Sequence, residues 1–143
     1  MALPHRLDFE TARDFMMAKV PHSRALGQLL TACADGHASG EQPYDRRLVG
    51  NPETGEIAGG VVTTLLDTAS YLALLPRLSD AEHAVTHDQT VSLLRPVAAD
   101  QRVDVTATVL RRGRAVAFMR AEAVVDGELV ATAQVTKSVV RVG

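Results

Sequence analysis

The sequence predicts an α+β chain in which an antiparallel sheet packs on one central helix. Three observations lead there. A long apolar stretch, IAGGVVTTLLDTASYLALLP (residues 57–76), lies mid-chain between a Gly/Asn/Pro loop and a proline. The second half reads as extended segments whose apolar residues alternate. Aromatic residues make up only 3% of the chain and Trp is absent, so the core is drawn from Val, Leu and Ala, whose small side chains let helix and sheet approach closely.

In chain order, Asp8 is placed to cap a first helix running to about Val20. Phe9, Ala12, Met16 and Val20 recur at helical spacing, and Pro21 ends it. Ala25 to Ala34 reads as a first strand, Asp35-Gly36 as a turn, and His37 to Val49 as a less regular extended segment. Gly50, Asn51, Pro52 and Gly55 mark a loop before the central helix, expected from about Gly59 to Leu75 and stopped by Pro76. Ala84 to Leu94, rich in Val and Thr, is the next strand, and Pro96 and Asp100 break it. Val103, Val105, Ala107 and Val109 then alternate, and Arg111-Arg112-Gly113-Arg114 forms a turn with three cations. Ala115 to Val125 follows, Asp126-Gly127 is a hairpin signal, and Leu129 to Val142 closes the chain. These four strands after the helix read as a meander.

A length of 143 residues suits a single domain, 1–143, large enough to bury a core. A net charge of −2 and a pI near 6.2 point away from nucleic acid and from an anionic membrane surface. The one cysteine, Cys33, allows no internal disulfide; it reads as a small apolar filler and fits a reducing cytoplasm. Asp8, Glu10 and Asp14 stand where a signal peptide would be apolar. The stretch 57–76 is long enough to suggest a membrane span, but Asp67, two glycines and several threonines make that costly in lipid, so it reads as a helix buried in protein.

Asp67 is the only charge on that helix. At helical spacing around it lie Thr63 and Thr64, Ser70 and Tyr71, with Gly60 seven residues back, so a narrow polar seam runs along an otherwise apolar helix. A carboxylate there is either a satisfied buried polar group or a functional one. Burial without partners is expensive, and stability alone is served better by an apolar residue. Gly59-Gly60 opens the helix, where unpaired N–H groups carry partial positive charge and glycine admits a ligand close to the backbone. Such an end can bind an anion or polarise a carbonyl oxygen. Gly59 and Asp67 are eight residues apart, about 12 Å along the axis, too far to serve one reacting centre within one chain. If both do, they come from two chains whose helices run antiparallel about a two-fold axis.

The segment GNPETGEIAGGVVTTLLDTASYLAL (50–74) resembles the central-helix signature of hotdog-fold acyl-CoA thioesterases of the phenylacetate-pathway (PaaI-like) type, in the 4-hydroxybenzoyl-CoA thioesterase superfamily. That signature is an Asn-containing loop, His-Gly-Gly, then Asp eight residues after the first glycine. The likeness continues through THDQTVSLLRPV and VLRRGRAVAFMRAEAVVDGELVATAQVTK and covers nearly the whole chain. It implies a curled antiparallel sheet wrapped around the long helix, and a homodimer or dimer of dimers. It implies acyl-CoA as substrate, with coenzyme A part of that substrate and no separate cofactor. By resemblance, Asp67 is the nucleophile or general base and the Gly59 N–H polarises the thioester oxygen. Asn51 orients thioester or water, and Thr86 presents a hydroxyl to the carboxylate or water. Gly60, Thr64, Arg111, Arg112 and Arg114 fall to substrate binding, the arginines toward CoA phosphates; the alternative for them is a solvated hairpin turn. This chain departs from the pattern in one place: Ala58 stands where the family has His. That keeps a non-catalytic acyl-CoA-binding or regulatory reading in view and argues against a hotdog hydratase or dehydratase, which relies on a catalytic His.

Absent motifs narrow the classes further. The chain has no Gly-x-Ser-x-Gly elbow, His-Glu-x-x-His, Cys/His cluster, P-loop or Gly-x-Gly-x-x-Gly, so serine-hydrolase, metal, nucleotide and dinucleotide chemistry are not expected. His83 and His87 share a strand face only if that strand is regular.

Overall fold

The computed structural model describes residues 9–141; the expected Asp8 cap and the Val142 end of the last strand lie outside the described residues. The N-terminal region is two short helices rather than one. Helix α1 (Phe9–Asp14) runs into a π-helical turn (Phe15–Lys19), Val20 is extended, and α2 (Pro21–Leu26) follows. Pro21 therefore acts twice. It pushes the preceding residue out of the helical region, and its fixed φ suits the first position of the next helix. Gly27, at φ 73°, closes α2 in the left-handed conformation. Ala25 and Leu26, expected in a strand, are thus helical, and β1 is Leu29–Ala34.

Strand β2 (His37–Gln42) returns through the expected turn at Asp35-Gly36. It stops earlier than Val49. A 3-10 turn (Arg46–Leu48) leads into two short paired strands, β3 (Val49–Asn51) and β4 (Glu56–Ile57). The side-chain amide of Gln42 donates to the Leu26 carbonyl and ties the end of α2 to the sheet. Helix α3 (Gly59–Leu74) follows, and Pro76 sits in the 3-10 turn that ends it. Strands β5 (Glu82–Leu93), β6 (Val103–Arg112), β7 (Val116–Val125) and β8 (Glu128–Arg141) complete the chain. Asp126 (φ 50°) and Gly127 (φ 80°) both take positive φ, the pair that a tight two-residue hairpin requires.

All six long strands form one antiparallel sheet in the order β1-β2-β6-β7-β8-β5. Only β6, β7 and β8 meander. The strand after the helix does not join β6, as a four-strand meander requires, but crosses to the far edge and pairs with β8. The inner face carries a row of alanines: Ala38 opposes Ala107, Ala107 opposes Ala121, and Ala121 opposes Ala133. Against this shallow row α3 lays Val62, Leu65, Leu66, Ala69 and Ala73, all buried. A sheet curled around a long helix is the hotdog arrangement, and small side chains are what let the two layers meet.

One electrostatic clamp anchors the start of β5. Glu82 Oε1 accepts from the Ser79 N–H (3.0 Å) and from Arg112 Nη2 (2.9 Å). Arg112 also donates to the carbonyls of Arg77, Gly113 and Arg114. The backbone donor of Ser79, followed by Arg112, holds the Glu82 carboxyl below its ordinary pKa. A group with a depressed folded pKa stabilises fully above its unfolded value, about 4.3, and loses that contribution as pH falls through the folded value. Glu82→Gln therefore has a melting temperature that declines less steeply than wild type below about pH 4.5, which thermal melts across pH 3 to 7 will check; parallel curves would exclude the clamp as an acid-sensitive element.

Candidate active site

Spacing on α3 puts Thr64, Asp67, Thr68 and Tyr71 along one stripe facing a cavity of about 420 Å³. The expected seam is partly right. Thr63, Thr64 and Ser70 turn their hydroxyls back onto the carbonyls of Gly59, Gly60 and Leu66 in their own helix, and Ser70 is fully buried away from the cavity. Thr68, which the spacing argument passed over, lines it. The opposite wall comes from Phe15, Met16, His22 and Ser23 of the N-terminal helical turns and from Val20 between them, and the rim from Ala84, Val85 and Thr86 of β5.

At the floor three side chains meet. Thr86 Oγ1 donates to Asp67 Oδ1 at 2.7 Å, and Lys137 Nζ donates to the same oxygen and to Thr86 Oγ1, each at 2.7 Å. The register explains the meeting: on adjacent strands Thr86 is directly opposite Lys137. A bulge between Thr86 and Asp88 shifts the phase at His87, so His83 and His87 do not share a regular face. The expected buried carboxylate is in fact 35% exposed at its side chain, while Lys137 is 3% exposed. The ammonium is thus the desolvated charge, tolerable because a carboxylate, a hydroxyl and the Tyr71 ring face, 5.7 Å away, surround it. Tyr71 stacks on Phe15 with ring centroids 6.4 Å apart, and burial pushes its phenol above the ordinary pKa, so it stays neutral.

Sequence reasoning missed Lys137, although a signal exists. In β8, Ala131, Ala133, Val135 and Lys137 alternate with more exposed residues, so the lysine occupies an inward position of the strand.

The remaining expected residues form a second group. Gly59 is the first residue of α3, with Ala58 as its cap, and lines a separate hollow of about 280 Å³ with Val62 and Leu93 to Val97. Gly60 is exposed. Asn51 is exposed on β3; its Oδ1 accepts from the Glu53 N–H at 3.1 Å, and its carbonyl accepts from Thr54 and Gly55. Gly50 lies against the helix cap, since a Cβ there would meet Ala58 Cα at 2.8 Å. Asn51, Ala58 and Gly59 therefore cluster at the start of α3, apart from the cavity of Asp67 in the same chain. Arg111 and Arg114 are exposed at the β6–β7 turn, whereas Arg112 is committed to the Glu82 clamp. Among the described residues no three His, Cys, Asp or Glu side chains converge as metal ligands, and no helix is long and apolar enough to cross a membrane.

Residues 54–132 match the family model of the thioesterase superfamily. Over 94 residues, 64% of this chain and 61% of the relative, the sequence is 36% identical to a Halobacterium salinarum protein that carries the provisional name of an esterase. This chain thus spans less than two thirds of that relative's length. A variant of the phenylacetic acid degradation protein PaaI from Thermus thermophilus superposes with a TM-score of 0.75 at 28% identity, covering 82% of this chain and 97% of that one. A thioesterase from Haemophilus influenzae shares the fold at a TM-score of 0.84 and 22% identity, covering 99% and 96% of the two chains.

Proposed function

The chain belongs to the thioesterase superfamily, and on that premise we propose that it hydrolyses acyl-CoA thioesters to free acid and CoA. The observation that carries this reading is Asp67 itself. Its Oδ1 is held by two donors, and among the described residues no hydrogen bond reaches Oδ2, on a side chain that lines a largely apolar cavity. Oδ2 either attacks the thioester carbon, expelling CoA thiolate and leaving an anhydride that water opens, or takes a proton from the water that attacks. In both routes one water is consumed and the C–S bond breaks. The oxyanion formed at the carbonyl is assigned to the N–H of Gly59 from a second copy of the chain. Exposed Arg111 and Arg114 are candidates for the CoA phosphates, and Asn51, beside the same helix end, for orienting the thioester or water.

A homodimer is part of this proposal. Strand β5 is a twelve-residue edge of the sheet, with Val85 50% and Leu93 53% exposed. A long edge carrying apolar side chains is a surface for another chain. The edge belongs to the strand that carries Thr86, so pairing there brings the second copy close to the cavity. The compartment proposed is the cytoplasm.

Free-thiol release from acyl-CoAs of graded chain length tests the reading. We expect turnover of short and medium chains and a decline once the acyl group outgrows the cavity. Phe15, which lines the cavity and stacks on Tyr71, is the residue we assign to that limit. Phe15→Ala should raise kcat/KM for acyl chains two to four carbons longer by about 10-fold relative to the shortest, the scale of one or two methylenes in an apolar pocket. An unchanged chain-length profile would remove Phe15 from the acyl site. Binding of acyl-CoA with no turnover would favour the non-catalytic reading, with Ala58 as its cause.

A further inference from the structure

Lys137 is used neither by the family pattern as read from the sequence nor by the reaction as written above. It sits at an inward position of β8, 3% exposed, with Ala117 opposite on one side and Thr86 on the other. An apolar side chain would fill that place at lower desolvation cost. The ammonium has three donors, and its surroundings match them: Asp67 Oδ1 at 2.7 Å, Thr86 Oγ1 at 2.7 Å, and the Tyr71 ring at 5.7 Å from Nζ. The Thr86 hydroxyl donates a hydrogen bond to the same carboxylate oxygen. Two donors therefore converge on Oδ1.

The terminal torsion of an aspartate is broad and nearly two-fold, so a free carboxylate samples many orientations of its plane and exchanges its oxygens. Here one oxygen is fixed from two directions, which fixes the plane and leaves Oδ2 for the substrate. We propose that Lys137 is a positioning residue for the hydrolytic reaction, locking Asp67 through Oδ1 so that Oδ2 is the atom that attacks the thioester or holds the attacking water. This assignment rests on the thioesterase reading. Thr86, cross-strand partner of Lys137, is the second half of the lock, and the β5–β8 register builds it. Lys137 acts through Asp67 and need not touch the acyl-CoA.

The test compares wild type, Asp67→Asn, Lys137→Met and the double variant, with thiol release from the best acyl-CoA of the panel and thermal melts for folding. Met keeps the volume and removes the charge, and the open side of Asp67 keeps that carboxylate solvated. Lys137→Met should lower kcat by about 10- to 100-fold, the scale of a misoriented reacting group, with KM within about threefold of wild type. Adding Lys137→Met to Asp67→Asn should cost no further activity, because a residue that works through Asp67 has nothing left to position. Lys137→Gln, which keeps a donor without the charge, should recover part of the loss, and it takes over the comparison if the Met variant does not fold. A Lys137→Met enzyme within twofold of wild-type kcat overturns the lock, and so does a double variant whose losses multiply. If Asp67→Asn collapses turnover while Lys137→Met does not, the hydrolase reading stands and this assignment alone falls. If wild type releases no thiol from any acyl-CoA, both fall together.

Discussion

If the proposed acyl-CoA hydrolysis runs through Asp67, Asp67→Asn is expected to lower kcat by about 100- to 10,000-fold, the range supplied by a positioned base, in a protein that still folds and still binds acyl-CoA. The substitution suits this site because asparagine keeps an oxygen where Oδ1 stands. That oxygen can accept from Thr86 and Lys137 as the carboxylate does at 2.7 Å. What disappears is the negative charge, and with it the ability of the second atom to attack a carbonyl or take a proton. Lys137 is then left 3% exposed without a counterion. Leaving a fully enclosed ammonium without its counterion costs about 3–5 kcal/mol, and the retained amide oxygen together with water reaching the one-third-open Asp67 side brings the loss below that range. Melting curves and acyl-CoA binding separate that loss from chemistry. Turnover within tenfold of wild type in a folded Asp67→Asn protein would remove Asp67 from the reaction.

Much of this architecture is legible in the residues because the signals are local. Helix α3 is bounded by a glycine-rich loop and Pro76, the β7–β8 turn by Asp126-Gly127, and β6 to β8 by alternation with period two. Strand order is not local. Val- and Thr-rich composition marks β5 as a strand, but not that β5 leaves its successor and joins β8; the nine residues between β5 and β6 permit either route. Pro21 shows the ambiguity of punctuation, since one proline both ends a helix and begins another. The same division holds at the site. Asp67 stands out because a charge interrupts an apolar helix, and resemblance points to Thr86. Lys137 lies in phase with Ala133 and Val135, but a lysine in a strand reads as a solvent-facing residue until the register puts it opposite Thr86. Arg112 shows the opposite ambiguity: three cations in a turn look like a phosphate site, and the structure turns the Arg112 guanidinium to Glu82 and three carbonyls.

The separation of Gly59 from Asp67 yields the second large effect. Gly59→Pro removes one backbone N–H and is expected to lower kcat by about 100- to 1,000-fold, as loss of an oxyanion donor does, with little harm to the fold. The local geometry allows it. Gly59 is the first residue of α3, where proline's φ is suitable and the N–H has no intrahelical acceptor to lose. Ala58 before it has φ −59° and ψ 133°, the extended region that a residue preceding proline adopts. A Cβ at position 59 would come within 2.7 Å of Leu93 Cδ1, the tip of a side chain that is 53% exposed in the single chain and lies on the proposed dimer edge, so the variant's dimer is checked by native mass spectrometry before its activity is read. Each variant alone is then inactive for a different reason, Asp67→Asn for its base and Gly59→Pro for its oxyanion donor. If each site takes Asp67 from one chain and Gly59 from its partner, a mixed dimer has one site with both defects and one with neither. After subunit exchange of equal amounts, half the dimers are mixed and half of their sites are intact, so activity should return to about a quarter of wild type. If both groups served a reaction centre within one chain, every site would keep one defect and mixing would restore nothing. Recovery near a quarter would establish the shared site and the obligate dimer in one measurement. No recovery, with exchange verified by mass spectrometry of native dimers, would confine each reaction to a single chain and require a different donor for the oxyanion.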